Sequence, residues 1–416
     1  MRVRIPRGLW LGITALLIVA AMPGRAETRK YPPLDPAHPV IGTLESDPAH
    51  DDATNKAGAQ AVVVGVSWDR FEPREGEFNA KYLVQIAGKI RLFRADGKFV
   101  VLDLGIQYPP EWIFHDKSSH FVDQYGHAYV PAAGSGDCGV NLVFSAEMRA
   151  KLAAYFSALF AGLGNDFYAV RLGGGRYGEL GYPNVTFLND KNCYWAFDAI
   201  AQGGSPGLPA GMQACPVSGW KPGTPSANHA AARSFLDWYM ACLENYHDWQ
   251  ISEVRQHFAG PLLMLYPSTG GLRPGQLEAA IGDDCNGATQ AEKTGEIGRG
   301  FDTARFVAGI SDPDVVVYST WIDGFPGCDD AAADPARWNP AHFLASLAAA
   351  HQPPLLVGGE NTGHPDTPAN MELTFERVKD GHLSVMFWAF EPGLFDTKGS
   401  QASCEMFSKE IAKIGK

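Results

Sequence analysis

Only 19% of the 416 residues are charged, and no two cysteines stand at the Cys-x-x-Cys spacing that structural zinc sites use. The sparse charge, together with a hydrophobic fraction of 45%, excludes a disordered or fibrous chain and predicts a well-buried globular core. Because the cysteine motif is missing, we expect no structural zinc site. We also expect no catalytic metal and no cofactor. One large domain is expected, since α/β barrels often use a chain of this length for a single domain.

The sequence has one long apolar segment, which lies at the N-terminus, and no second one follows it. Three arginines within the first seven residues precede an uncharged run, Leu9–Met22, and a small-residue segment that ends at Ala26. The run is short for a membrane span, and the layout is typical of a secretory signal. We therefore expect a signal peptide at 1–26 and a secreted or periplasmic domain at 27–416. The alternative is an uncleaved anchor.

Basic residues are too few to favour anionic partners. The formal charge is −12, and removal of 1–26 would take away four arginines and no acid, which leaves −16. We therefore expect no nucleic-acid partner and no stable membrane insertion after signal cleavage. Export would permit disulfides, although seven cysteines leave at least one free thiol. The candidate pairs, which bracket polar loops, are Cys193 with Cys215 and Cys285 with Cys328.

Eight short apolar runs alternate with segments of helical periodicity. The clearest helical segments are Tyr82–Phe93 and Phe235–Trp249. Strands buried on both faces give such runs, so the alternation predicts a single (β/α)8 TIM barrel, with an open doubly wound sheet as the alternative. The strand candidates are Val40–Leu44, Ala61–Val66, Phe99–Leu104, Phe167–Leu172, Leu262–Tyr266, Val315–Thr320, Leu355–Gly359 and Ser384–Phe390.

Long polar loops are predicted after the third, fourth and fifth strands. The most notable segments are Gln107–Ser145 and Asn184–Ala227, which are rich in Gly, Pro and Asn. Loops of this length are commonly functional, and in a barrel the loops that follow the strands build the active-site face. We therefore expect one open, elaborated end of the barrel.

One glycine-rich segment, Arg171–Pro183, delivers a single carboxylate, Glu179, between Tyr177 and Tyr182. The alternative for this segment is a glycine-rich turn with a solvated glutamate. A second acid, Glu360, closes the seventh strand candidate, where the alternative is a salt-bridged acid at a strand end. Because glycoside hydrolysis usually needs two carboxylates that flank the bond, the pair predicts catalytic roles for Glu179 and Glu360.

Aromatic and polar side chains near the same predicted strand ends are candidate sugar contacts. Aromatic rings pack on the C–H faces of sugars, and polar groups bind the hydroxyls. The alternative for each aromatic is core packing, and for Arg171 it is a buried ion pair inside the barrel. His364 and Asp366 have no third metal ligand at a suitable spacing. The substrate-binding candidates are Trp68, Asp103, Gln107, Trp112, Arg171, Tyr177, Tyr182, Trp321, Asp323, Asn361, Trp388 and Glu391.

Two groups of segments resemble known families. Trp68–Phe78, followed by a helix and by Tyr108–Trp112, resembles the opening of a family 42 β-galactosidase barrel. Gly178–Pro183 and Gly359–Asn361 resemble the acid and base segments of the β-amylases of family 14. The resemblance implies a (β/α)8 glycosidase that is β-galactosidase-like or β-amylase-like.

The same resemblance implies Glu179 as proton donor and Glu360 as its counterpart. Two departures stand out. Family 42 enzymes carry an Asn before the acid, whereas Gly178 stands here, so that contact with substrate is missing. β-Amylases carry a His-Cys-Gly-Gly-Asn loop after the third strand, whereas this chain has Gln107–Trp112, which disfavours maltose release from starch.

The expected function is hydrolysis of O-glycosidic bonds in an oligo- or polysaccharide, in carbohydrate metabolism and polysaccharide degradation. The alternative is a catalytically silent barrel that binds glycans or assists polysaccharide assembly. Carboxyl groups about 5–5.5 Å apart imply retention of configuration, and about 6.5–9.5 Å implies inversion. The two resemblances imply opposite outcomes, and the segments that contain the acids favour inversion.

Overall fold

A computed structural model describes residues 31–132, 134–188, 190–227, 229–267, 270–285, 296–324, 327–362, 367–396 and 402–414. The chain divides into Met1–Tyr31 and Pro32–Lys416, and only the second unit is described beyond a single residue. The predicted signal peptide at 1–26 lies outside the described residues and stays a prediction. Among the helices of the described part, none combines the length and apolarity needed to cross a membrane.

Eight parallel strands close into a barrel in chain order, with β8 beside β1. Most strand residues are buried on both faces, which explains why the sequence shows continuous apolar runs. The closed order confirms the predicted single (β/α)8 TIM barrel and excludes the open sheet. The strands are β1 (Val40–Thr43), β2 (Ala61–Gly65), β3 (Phe99–Asp103), β4 (Ala169–Leu172), β5 (Leu262–Tyr266), β6 (Val315–Ser319), β7 (Leu356–Glu360) and β8 (Val385–Trp388).

Helices cover the outside of the barrel, and their ends follow local sequence signals. In α3, the Asn79 side chain caps the first turn by accepting from the Tyr82 amide over 3.1 Å, and Gly97 follows the last turn. The described helices are α1 (Asp51–Ala57), α2 (Trp68–Phe71), α3 (Ala80–Ala95), α4 (Ala146–Leu163), α5 (His229–Arg255), α6 (Gln276–Cys285), α7 (Thr303–Gly309), α8 (Pro340–Ala350), α9 (Pro368–Asp380), α10 (Glu391–Phe395) and α11 (Cys404–Ile414).

The strand register brings chemistry to the carboxyl ends of β2, β3 and β4. Gly65 pairs with Asp103, and Asp103 pairs with Arg171, so the three residues lie at one level of the barrel. A Cβ atom added to Gly65 would meet no atom within 4 Å, so this glycine leaves open space beside the two charged side chains. The barrel therefore has a polar opening at this end.

The connections after β3 and β4 contact each other above the barrel. The first contains two 3₁₀ turns, Glu111–His115 and Lys117–Ser119. An isolated antiparallel bridge joins Asp137 of the first connection to Arg176 of the second. The two connections therefore form one wall of the opening.

All seven cysteines are free thiols in the structure, so the two candidate disulfides are wrong. The thiols serve packing instead. Cys193 and Cys285 are buried in the hydrophobic core, and the Cys215 thiol donates to the Val217 carbonyl over 3.4 Å.

Candidate active site

A cavity of about 540 Å³ opens at the carboxyl ends of the strands, where TIM barrels carry their active sites. A larger concavity of about 820 Å³, lined in part by α4 and α5, lies on the outer face and contains neither predicted acid. Half of the predicted site residues line the cavity at the strand ends. They are Asp103, Gln107, Arg171, Tyr177, Glu179, Glu360 and Asn361.

Glu360, at the end of β7, is held by two neighbouring side chains. Arg171 donates through Nη1 to Oε2 over 2.7 Å and through Nη2 to Oε1 over 3.3 Å. The Tyr318 hydroxyl donates to Oε2 over 2.8 Å. All three donors complement a negatively charged carboxylate, and the forked guanidinium fixes its plane. The Glu360 side chain is only 12% exposed, so these contacts act in a largely water-excluded place.

Arg171 links two acids from its place on β4. Besides Glu360, its Nε atom lies 3.3 Å from Asp103 Oδ2. Burial lowers the pKa of Arg171, but the combined attraction of Glu360, Tyr318 and Asp103 outweighs burial and raises that pKa, so the guanidinium stays charged. Asp103 also accepts from the Gly105 amide over 2.9 Å and from Gln107 Nε2 over 3.3 Å. Arg171 thus forms the buried ion pair and also lines the cavity.

Glu179 reaches the cavity because the chain turns back after β4. The Gly174 amide donates to the Gly178 carbonyl over 2.9 Å, which closes the turn. Gly178 has φ of +82°, a left-handed conformation that glycine adopts without strain. After the acid, the Leu180 amide donates to the Leu265 carbonyl of β5 over 3.0 Å. The glycine-rich segment is therefore the local reason why the carboxylate lies at the strand ends.

Glu179 is half-buried and accepts one hydrogen bond, from Thr320 Oγ1 to its Oε1 over 2.7 Å. Burial raises the pKa of the Glu179 carboxyl above its usual range. The positive charge of Arg299 and the Thr320 hydrogen bond oppose this shift, and the negative charge of Glu360 adds to it. The net effect is that the protonated form of Glu179 is favoured more strongly here than it would be for a glutamate exposed to water.

The two glutamates therefore lie in one cavity with opposite surroundings. Glu360 has a guanidinium and a hydroxyl directed at its oxygens, whereas the pKa of Glu179 is raised by burial. One carboxyl accepts hydrogen bonds from three donor atoms, and the other holds a proton at a higher pH than usual. Pairs of acids that differ in this way are suited to general acid–base work.

Three more predicted residues border the cavity. Tyr177 is 60% exposed at the rim, and its amide donates to the Gly136 carbonyl over 2.5 Å. Gln107 lies against Gly178, where an added Cβ atom would be 3.4 Å from the Gln107 amide group. Asn361 exchanges two hydrogen bonds with the backbone of Ala389, of 2.8 and 2.7 Å, and so fixes the chain after β8.

Three predicted sugar contacts are core residues instead. Trp68, Tyr182 and Trp388 are fully buried and do not line the cavity. The Trp68 indole donates to Glu72 over 2.8 Å, and the Tyr182 ring stacks on Tyr239 with 4.0 Å between centroids. The structure therefore supports core packing, the alternative stated for each aromatic, and none of these three side chains is exposed to the cavity.

Two predicted acids are buried in the frame around the site. Asp323 is 4% exposed and accepts from the Thr362 amide over 2.8 Å and from its hydroxyl over 2.7 Å. Glu391 is fully buried and accepts from Thr43 Oγ1 over 2.6 Å. Neither lines the cavity, so both predicted sugar contacts are corrected to structural hydrogen bonds.

The remaining predicted residues also lie away from the acids or outside the described part. The Trp112 indole donates to the Glu72 carbonyl over 2.9 Å, outside the cavity. Trp321 is half-buried next to Thr320 but is not a lining residue. His364 and Asp366 lie outside the described residues.

Three residues of the site were not predicted from the sequence. Tyr318 and Thr320 stand two positions apart at the end of the sixth strand, where alternate residues share a face, so their hydroxyls were a usable signal. Arg299 has no such signal, since it is far from both acids along the chain. Its Nε and Nη2 atoms are buried and have no hydrogen-bond partner among the described residues.

No protein-family model matches the sequence, and no curated protein sequence matches it. Solved structures do match. The catalytic domain of a β-amylase from Paenibacillus polymyxa aligns with a TM-score of 0.63 at 17% identity, over 91% of this chain and 99% of that one. A β-galactosidase from Bacillus circulans sp. alkalophilus gives 0.54 at 12% identity, over 91% and 55%. A GH42 β-galactosidase, Gan42B, gives 0.52 at 13% identity, over 93% and 57%.

These comparisons agree with the fold that the sequence resemblance implied. The barrel is similar to those of a β-amylase and of GH42 β-galactosidases, and the chain spans little more than half of each β-galactosidase chain. At identities of 12% to 17% the likeness establishes the fold. Function has to be argued from the site.

Proposed function

We propose that this chain is a glycoside hydrolase that cleaves O-glycosidic bonds of an oligo- or polysaccharide. Glu179 is the general acid, and Glu360 is the nucleophile or the base that activates water. One observation carries the proposal, namely that two carboxyl groups lie in one cavity at the strand ends. Burial raises the pKa of Glu179, whereas Arg171 and Tyr318 donate hydrogen bonds to Glu360. Glycosidases use such a pair of acids.

The proposed reaction begins with proton transfer from Glu179 to the glycosidic oxygen. The raised pKa of Glu179 keeps the proton available at a higher pH than an exposed glutamate would. As the bond to the leaving group breaks, positive charge develops on the sugar ring, and the Glu360 carboxylate stabilises it or directs a water molecule to it. Arg171 and Tyr318 hold that carboxylate in one orientation.

The substrate class is supported by the neighbours in fold as well as by the site. The barrel aligns with a β-amylase and with β-galactosidases at TM-scores above 0.5, and these neighbours are glycosidases by name. We also propose inversion of configuration, because the segments that carry the acids are the ones that resemble β-amylases. NMR of the first product formed tests this point, since it reports the anomer released.

One feature favours a second candidate, a barrel that binds glycans without cleaving them. Both oxygens of Glu360 already accept hydrogen bonds from Arg171, so the carboxylate is less free to attack or to activate water. In that case the site would recognise sugar hydroxyls through the same polar groups.

Turnover of a panel of aryl glycosides and oligosaccharides by the wild-type protein separates the two candidates. Glu179→Gln and Glu360→Gln should each lower kcat by about 10²–10⁴-fold, because a positioned acid or base contributes that much. Glu111→Gln removes an exposed carboxylate outside the cavity and is the matched control. Binding of glycans without turnover of any panel member would favour the silent barrel, and full activity of either glutamine variant would remove that residue from the mechanism.

Export is part of the proposal, with cleavage after Ala26 and a secreted or periplasmic location. It is supported by the arginines and the apolar run Leu9–Met22 at the N-terminus. The intact mass and N-terminal sequence of the protein recovered from its native host would test it. A protein that still begins at Met1 and stays with the cells would contradict cleavage.

A further inference from the structure

A second cluster of chemically reactive side chains lies outside the proposed active site, where the connections after β3 and β4 meet. One side is a short hairpin in which Val122 bridges Ala128, and the other is a turn in which Phe187 bridges Asp190. Ligand atoms of three residues there lie within 4.8 Å of one another. They belong to Asp123, His127 and Asp190.

Asp123 is held rigidly and has one oxygen left over. Its Oδ1 accepts from the Tyr125 amide over 3.0 Å and from the His127 amide over 2.9 Å, which fixes the carboxylate plane. The residue is fully buried, and its Oδ2 has no hydrogen-bond partner among the described residues. A buried carboxylate oxygen without a partner is costly, so a positive group bound at this point would stabilise it.

His127 and Asp190 face the same point as that oxygen. His127 Nδ1 lies 3.5 Å from Asp123 Oδ2 and 2.8 Å from Asp190 Oδ2. The Nδ1 atom is buried and has no partner in hydrogen-bond geometry among the described residues. A proton on Nδ1 could point at only one of the two carboxylates. Three possible metal-ligand atoms, one from each residue, therefore point to the same place without a hydrogen bond between them.

A divalent ion would satisfy all three atoms at once. Ligand distances of about 2.0–2.2 Å around tetrahedral zinc place neighbouring ligand atoms about 3.3–3.6 Å apart. The distance of 3.5 Å from His127 Nδ1 to Asp123 Oδ2 already lies in this range. The distance of 2.8 Å from His127 Nδ1 to Asp190 Oδ2 would reach it after a small rotation of the partly exposed Asp190 side chain. Imidazole favours zinc-like transition metals over calcium or magnesium, which prefer oxygen ligands alone.

We propose that Asp123, His127 and Asp190 bind a divalent transition-metal ion of the zinc type. The cluster contains neither Glu179 nor Glu360, so the ion would take no part in the proposed reaction. It would fasten the hairpin after β3 to the turn after β4. The hairpin continues into Tyr129, whose hydroxyl donates to Asp137 over 2.5 Å, and Asp137 bridges Arg176 at the wall of the cavity.

Zinc binding to the full-length folded protein tests the proposal. Protein stripped with a chelator is dialysed against Zn²⁺, and bound metal is measured by elemental analysis. Wild type should hold one zinc ion per chain, whereas Asp123→Asn and His127→Gln should bind it at least tenfold more weakly. His38→Gln is the matched control and should bind zinc as wild type does. His38 pairs with Asp35 at 2.9 Å on the surface, and among the described residues neither belongs to a group of three possible metal ligands.

Thermal unfolding provides the second readout and does not depend on the variants folding. Because a ligand that binds only the folded state stabilises it, the Tm of stripped wild type should rise on addition of Zn²⁺ and fall again with chelator. The proposal is overturned if stripped wild type takes up no zinc, or if Asp123→Asn and His127→Gln retain wild-type zinc affinity. Either result would leave the cluster as a histidine packed between two carboxylates.

Discussion

Replacement of Thr320 by valine should extend the activity of the enzyme towards alkaline pH. Thr320 Oγ1 donates to Glu179 Oε1 over 2.7 Å and lowers the pKa of an acid whose pKa is raised by burial. Valine has nearly the same shape but cannot donate, so one of the effects that lower the pKa of Glu179 would be lost while the positive charge of Arg299 would remain. The proposed general acid works in its protonated form, and a higher pKa keeps it protonated to higher pH.

The size of the shift follows from the strength of this one hydrogen bond. A hydrogen bond to a charged group contributes about 1.5–3 kcal/mol, and one pKa unit corresponds to about 1.4 kcal/mol. The full range is therefore about one to two units. Because Glu179 is only half-buried, water replaces part of the lost bond, and the lower value of about one unit is expected.

The assay is the pH profile of kcat/KM, whose alkaline limb reports the essential acid of the free enzyme. The alkaline limb of Thr320→Val should lie about one pH unit higher than that of wild type, for the reason just given. Thr320→Ser keeps the hydroxyl and should retain the wild-type limb. An alkaline limb that stays in place, or that moves to lower pH in the valine variant, would refute the assignment of Glu179 as the acid.

Three further changes test other contacts of the site. Tyr318→Phe removes the 2.8 Å hydrogen bond to Glu360 and should lower kcat by about tenfold or more, because a bond to a carboxylate is lost. An unchanged kcat in steady-state kinetics would show that this contact does not contribute to catalysis. Arg299→Gln removes a positive charge that lowers the pKa of Glu179, so the alkaline limb of the pH profile should rise, and a fall would contradict this. Gly65→Val fills open space in the cavity and should lower kcat/KM at least tenfold with little change in Tm, whereas wild-type kinetics would place the substrate elsewhere.

Matched variants separate these effects from damage to the fold. Arg299→Lys keeps the charge and should keep the wild-type alkaline limb. Gly65→Ala adds one methyl group where Gly65→Val adds three carbons, so its effect on kcat/KM should be intermediate. The Tm of Tyr318→Phe should be reported alongside its kinetics, because Tyr318 is fully buried.

The fold could be predicted from the sequence because strands buried on both faces leave a simple signal. Runs such as Ala61–Val66 and Val315–Thr320 are continuous and apolar, and the structure has strands there with ends shifted by one residue. Closure of the barrel was less certain from the sequence, since an open sheet gives the same alternation. The pairing of β1 with β8 supplies that information.

The site was only partly predictable, because position at a strand end does not tell which way a side chain points. Trp388 stands at the end of β8, yet it is fully buried away from the cavity. Tyr318 stands inside a buried strand and has the sequence pattern of a core residue, although its hydroxyl reaches Glu360. Arg299 comes close to Glu179 only through the fold, and no local pattern marks it.

The most direct test of the central claim compares leaving groups in the two glutamate variants. A dinitrophenyl glycoside needs no proton to leave, whereas an alkyl glycoside or a natural oligosaccharide does. Glu179→Gln should retain the dinitrophenyl reaction within about tenfold of wild type and lose about 10²–10⁴-fold on the others. Glu360→Gln should lose both reactions, because it acts on the sugar itself. Equal losses on both substrates in Glu179→Gln, or a selective loss in Glu360→Gln, would contradict the assigned roles.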